Sequence, residues 1–228
     1  LILFEKDPTL EWGFIYDIEM NSEEFKRQLI NSETNDERSD FCRKLVLHGT
    51  PFIFYGKEHE YYEFRKKIAN HFKVSFHEVY ITGSAKLGFS PYKNKEFDLD
   101  SDIDVAIISE KLFEEIMWKV NKFQLDYRGA RKTPHQSEVR QYHDFLEYTA
   151  LGWIRPDKLP ISFQMKELKD QWFQFFNSLS YGRSEVGNYK VSAGVFKTYQ
   201  HFESYIISGL TQLRNQIKLQ SFNNDKSN

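Results

Sequence analysis

Asp102 and Asp104 stand one residue apart at the head of an apolar run, Val105-Ala106-Ile107-Ile108. The run predicts a buried strand over residues 101–108. A strand sends alternate side chains to opposite faces. Both carboxylates therefore share one face, while Ile103, Val105 and Ile107 turn to the other. Two like charges so placed repel unless a cation lies between them. Magnesium suits the place, because it is a hard ion that takes carboxylate and phosphate oxygens together. The alternation of Asp98, Asp100, Asp102 and Asp104 also invites comparison with a calcium loop, which needs Gly at its sixth position and Glu at its twelfth. Counting from Asp98 gives Ile103 and Ser109, and counting from Asp100 gives Val105 and Lys111, so that reading fails.

A second pattern lies upstream. Val79-Tyr80-Ile81-Thr82 reads as a strand that runs into Gly83-Ser84 and then Ala85-Lys86-Leu87. Glycine lets a backbone approach a phosphate closely. Ser84 is expected to cap a helix whose free N–H groups favour an anion. Alone, the pair reads as an ordinary helix cap. Lys86 joins Gly83 and Ser84 as a nucleotide-binding candidate.

Taken together, strand, Gly83-Ser84, strand and Asp102-Ile103-Asp104 resemble the nucleotidyltransferase superfamily that includes DNA polymerase β. The resemblance covers about residues 60–125, with a longer gap between the motifs than in the smallest members. It implies a triphosphate on the Gly83-Ser84 turn and Mg²⁺ or Mn²⁺ on Asp102 and Asp104. Two such ions about 3.5–4 Å apart can activate an attacking hydroxyl and stabilise a leaving pyrophosphate. Family members also carry a third carboxylate on a later strand. The two later segments that could supply it, 159–165 and 189–197, contain none. Asp157, in Trp153-Ile154-Arg155-Pro156-Asp157, is the candidate third metal ligand, and its competing reading is a turn residue after proline.

The chain has 228 residues, 40% of them hydrophobic and 17% aromatic, which is enough for one large domain or two small ones. Its net charge of −2 argues against affinity gained by wrapping a long duplex. A small nucleotide, a short single strand or a protein acceptor fits better. Lys86, Lys93, Lys95, Arg128, Arg131, Lys132, Arg155 and Lys158 are candidates for a local basic groove. Cys42 is the single cysteine, so there is neither a disulfide framework nor a Cys-rich zinc site. The seven histidines show no ligand spacing. No stretch reads as a membrane span or secretory signal, and a reducing cytoplasm is the expected home.

Apolar residues at spacings of three and four predict helices over 60–72, 111–123, 138–149 and 165–179, and a last one through Phe202 and Ile217. A strand is expected over 13–18 and a polar loop over 31–40. The broad stripes of the two last helices predict core packing, with a homo-oligomer or effector interface as the alternative. Residues 1–125 are expected to form the catalytic core, 126–220 a mainly helical part, and 221–228 a disordered tail. The expected fold is α/β (α+β mixed), a small mixed sheet of the polymerase β-like type with a helical C-terminal half. Helices should cover one face of the sheet, and its open face should hold the nucleotide.

The functional expectation is a magnesium-dependent enzyme that transfers a nucleoside monophosphate from an NTP or dNTP to an acceptor hydroxyl. The stand-alone form resembles bacterial anti-phage enzymes that make an oligonucleotide signal. Two alternatives stand beside it: a protein-nucleotidylating enzyme, and a non-catalytic binding or antitoxin-like module that keeps the fold.

Overall fold

The computed structural model describes residues 20–129, 135–159 and 165–225. The expected strand at 13–18 and the groove candidates Arg131 and Lys132 lie outside the described residues, as does most of 159–165. The architecture is mixed α/β, with a small mixed sheet and a mainly helical C-terminal half.

Four strands form the main sheet. They are β1 (Val79–Thr82), β4 (Asp102–Ile108), β5 (Trp153–Ile154) and β6 (Lys190–Phe196), in the order β1-β4-β6-β5. β1 runs antiparallel to β4, β6 parallel to β4, and β5 antiparallel to β6. The division expected after residue 125 falls inside α5 (Glu110–Arg128), and β5 and β6 complete a sheet begun by β1 and β4. The sheet is thus shared between the two halves of the chain. A short hairpin, β2 (Phe89–Ser90) with β3 (Lys95–Glu96), projects between the two motifs.

Strand alternation divides the sheet chemically. Val79, Ile81, Ile103, Val105, Ile107, Val191 and Val195 are buried against α3 (Glu58–Phe72), α5, α6 (Gln136–Ala150) and α7 (Met165–Ser178). The opposite face is apolar at one end and polar at the other. Its apolar end, Ala106, Ile108 and Phe196, is covered by Phe202 of α8 (Tyr199–Asp225), with Tyr80, Trp153 and Tyr205 around it. The face expected to be open is therefore half covered, and only its polar end reaches solvent. α8 continues through Asp225, so residues 221–225 extend a helix instead of starting the expected tail.

Within the expected loop 31–40, α2 (Asn35–Phe41) begins at Asn35 and runs past its end. Thr34 accepts from the Glu37 N–H, and the Glu37 carboxylate accepts from the Thr34 N–H, a reciprocal capping box. A π-helical turn at Cys42–Leu47 follows. α1 (Ser22–Asn31), α2 and α8 enclose a second core around Phe25, Leu29, Phe41, Phe89 and Leu210. Cys42 lies in it, and burial pushes its thiol up to about 12, so it stays protonated at neutral pH. This core anchors the hairpin between the two motifs, because Phe89 of β2 belongs to it.

Candidate active site

The two sequence motifs meet at the polar end of the sheet. β1 lies beside β4 with Thr82 opposite Asp104, so the turn after Thr82 begins at the acidic pair. Gly83 adopts φ +65°, in the left-handed region that favours glycine. A β-carbon on Gly83 would sit 3.1 Å from Asp104 Oδ2, tighter than an ordinary van der Waals contact. Glycine is needed here for its backbone angle and for the space it leaves to the carboxylate. The following helix, α4 (Gly83–Leu87), is a single turn. Its N-cap is Thr82 rather than the expected Ser84, and no side chain caps it, so the first backbone N–H groups of the turn are left without a capping partner. Gly88 ends it at φ +86°.

Across β4, the parallel pairing sets Lys190 level with Asp102 and Ser192 level with Asp104. Lys190 Nζ donates to Asp102 Oδ2 at 3.0 Å, and Ser192 Oγ donates to Asp104 Oδ1 at 2.9 Å. Asp104 Oδ2 is left facing the Gly83 turn. The hydrogen bond to Asp102 holds the Lys190 ammonium above the ordinary lysine value. Asp104 keeps contact with solvent, yet the cleft walls crowd water from around it. Desolvation raises its carboxyl above the usual range, with a further push from the charge on Asp102, while the Ser192 bond and the positive charges of Lys190 and Lys93 pull the other way.

These groups line one end of a larger space of about 1240 Å³ that extends along α8 and to α7, with Thr82, Gly83, Ser84, Asp102, Asp104, Lys190 and Ser192 at its polar end. Its far wall is α8. Gln200, Ser204, Ser208 and Gln212 recur every fourth residue there, exposed and facing the same space. Sequence reasoning followed the apolar stripe of α8 and passed over this polar one, although its period of four was visible. Tyr92, at the tip of the β2–β3 hairpin, also lines the cleft. Its hydroxyl would lie 2.6 Å from a β-carbon on Gly209, so the hairpin tip rests on α8 where that helix has no side chain.

The remaining candidates are placed elsewhere. Lys86 is buried and turned away from the cleft. Its ammonium donates to the carbonyls of His48, Gly49 (2.9 Å) and Thr50 (3.4 Å). Burial pushes it down to about 8, which leaves it mostly charged at neutral pH. It ties the loop after the π-helical turn to α4, and in this arrangement its ammonium is not directed at the cleft expected to hold a nucleotide. Asp157 lines the cleft, but its carboxylate is held by the Arg155 guanidinium at 2.8 Å and 3.2 Å. Among the described residues, no group of three or more His, Cys, Asp or Glu side chains is arranged to hold a metal ion, so Asp157 is not brought into one donor set with the pair. Lys95 pairs with Asp98 and Lys158 with Asp144. Arg128 ends α5.

The site offers two carboxylates on one face, a glycine turn with exposed backbone beside them, one ammonium and several hydroxyls. That set suits a divalent ion completed by phosphate oxygens, since magnesium is commonly held by one or two carboxylates together with substrate phosphates. No helix of the described residues is long and apolar enough to cross a membrane. Comparison with known proteins finds no matching family model, no matching curated protein and no matching solved structure.

Proposed function

We propose that the chain is a divalent-metal-dependent nucleotidyltransferase that moves a nucleoside monophosphate from an NTP or dNTP to an acceptor hydroxyl and releases pyrophosphate. The observation that carries this reading is the convergence of Gly83 on Asp104. Two motifs some twenty residues apart in sequence meet within contact distance, at the polar end of a cleft large enough for a nucleotide. The polymerase β-like resemblance supports the same reading, from Gly83, Ser84, Asp102 and Asp104.

In this reading Asp102 and Asp104 hold Mg²⁺ or Mn²⁺. The Gly83 turn lets the phosphates approach the backbone, and the Ser84 hydroxyl stands beside them. Bound metal would neutralise the triphosphate and the charge developing on the departing pyrophosphate. Ser192 fixes one oxygen of Asp104, which leaves the other directed at the phosphate turn. The amides and hydroxyls of Gln200, Ser204, Ser208 and Gln212 face the base and sugar. The rate gain expected of such a site comes from positioning and fixed charge.

The acceptor is proposed to be a hydroxyl of a nucleotide, giving a short oligonucleotide, with an anti-phage signal as its use. The test is incubation with each labelled ribo- and deoxynucleoside triphosphate and Mg²⁺ or Mn²⁺, with products resolved on a denaturing gel. A ladder or a new small species, absent with Asp102→Asn, supports the proposal. Label that appears only on protein favours protein nucleotidylation. Stoichiometric binding without any product favours the non-catalytic module, an alternative motivated by the sequence of 189–197, which contains no carboxylate.

A further inference from the structure

Lys190 differs from Lys86 and Arg155, two of the cations expected near the site. Lys86 is buried under three carbonyls, and Arg155 is taken up by Asp157. Of these cations, Lys190 is the one in hydrogen-bond contact with a site carboxylate. Its side chain is 51% exposed and its partner Asp102 43% exposed, so solvent and ligands can reach both. Its backbone, by contrast, is firmly set. The buried Ser180 hydroxyl accepts from Val191 N at 2.8 Å and donates to the Phe176 carbonyl at 2.8 Å. Tyr181 N donates to the Tyr189 carbonyl at 2.8 Å. A solvent-exposed ammonium thus stands on a fixed base.

The sheet register gives that ammonium its reach. β1 and β6 flank β4, with the Gly83 turn on one side of the acidic pair and Lys190 on the other. Neighbouring strands lie about 4.8 Å apart, so a triphosphate lying from the turn across Asp104 comes within range of a lysine side chain. The charge balance points the same way. Two carboxylates and one contacting ammonium leave a net −1, which the nearby positive charge of Lys93 offsets further, so a free divalent ion is held weakly. A triphosphate brings the missing negative charge and offers Lys190 a better partner than Asp102.

We propose that Lys190 is a triphosphate-binding residue that occupies Asp102 in the empty site and gives that carboxylate up when metal and nucleotide arrive together. This rests on the nucleotidyl-transfer reading above. Lysine and divalent ion then compete for Asp102, while lysine and phosphate cooperate. Removing the ammonium must move the two affinities in opposite directions.

The experiment compares the parent chain with Lys190→Met and Lys190→Arg. Mn²⁺ binding without nucleotide is measured by electron paramagnetic resonance. Binding of ATP, GTP, CTP and UTP and their deoxy forms with Mg²⁺ is measured by calorimetry. Lys190→Met is expected to bind free Mn²⁺ about three- to tenfold more tightly, because a neighbouring positive charge is gone. It should bind the preferred triphosphate about tenfold more weakly, because a charge-assisted phosphate contact is lost. Lys190→Arg should keep both affinities within about threefold of the parent, since its charge is retained. Circular dichroism checks that each variant is folded, and Lys190→Gln serves if Lys190→Met is not.

Affinities that move in the same direction, or not at all, while the parent still releases pyrophosphate overturn this proposal and leave the nucleotidyl-transfer reading standing. A parent chain that binds neither Mn²⁺ nor any triphosphate overturns both.

Discussion

Replacing Gly83 by alanine separates two costs that the structure superimposes at one position. The first is backbone strain. Gly83 sits at φ +65°, and an L-residue in the left-handed region costs about 1–2 kcal/mol. The second is local. The new β-carbon would lie 3.1 Å from Asp104 Oδ2, so the carboxylate must retreat by a few tenths of an ångström. Its other oxygen is held by Ser192 at 2.9 Å, and crowding a held group adds about 1 kcal/mol. Gly56 is the internal control. It has φ +68°, and a β-carbon added there would meet nothing within 4 Å, so Gly56→Ala carries the backbone cost alone. For a chain of this length each kcal/mol corresponds to about 2–4 °C in Tm. Gly56→Ala should therefore lower Tm by about 2–8 °C, and Gly83→Ala by roughly a further 2–4 °C. Only Gly83→Ala should weaken magnesium-dependent triphosphate binding, by about tenfold or more, because only it displaces Asp104. Differential scanning calorimetry and binding titrations read both effects. Equal Tm losses in the two variants, with triphosphate binding intact in Gly83→Ala, would refute the contact between the two motifs.

Three further substitutions follow from particular contacts. Asp104→Asn should stabilise the metal-free chain at neutral pH by about 0.5–1 kcal/mol, a modest gain because the carboxylate still reaches solvent. The sign follows from a folded-state carboxyl raised above its ordinary value of 3.8. The parent loses stability as pH rises through the interval above 3.8, and the advantage of the Asn variant should vanish below it. Urea denaturation across pH checks this, and added Mg²⁺ should raise the Tm of the parent only. Lys86→Met should cost about 2–4 kcal/mol, since three carbonyls lose their donor, while triphosphate binding at low temperature stays within about twofold. A stable Lys86→Met variant that failed to bind nucleotide would restore the ligand role expected from sequence. Gly194→Ala should destabilise by about 2 kcal/mol or more, because its β-carbon would lie 2.3 Å from Trp153 Nε1 and 3.1 Å from the Ile154 carbonyl, measurable by the same denaturation.

The parts of the site that were legible in sequence are those fixed by local periodicity. β1 and β4 fall where apolar runs place them, and strand alternation alone puts Asp102 and Asp104 on one face. α3, α5, α6, α7 and α8 follow their apolar spacings to within a few residues over most of their lengths. α2 was missed because its residues, Asn-Asp-Glu-Arg-Ser-Asp-Phe, carry almost no apolar face, although Thr34 and Glu37 give the capping-box spacing. The contact between Lys190 and Asp102 was not legible. Its partner Asp102 lies 88 residues earlier, and long-range strand register cannot be read from either segment alone. Lys86 misled for a related reason. A helical position fixes where a side chain starts, whereas the carbonyls that capture its ammonium belong to a loop some 37 residues upstream.

The most direct test of the central claim is pyrophosphate release from a mixture of the eight nucleoside triphosphates with Mg²⁺, measured for the parent chain and Asp104→Asn alongside their triphosphate binding. The account predicts multiple turnovers for the parent, strict dependence on the divalent ion, and loss of release in Asp104→Asn while that variant remains folded. Release that persists undiminished in Asp104→Asn, or a parent that binds triphosphate with magnesium yet never releases pyrophosphate with any acceptor supplied, would contradict it.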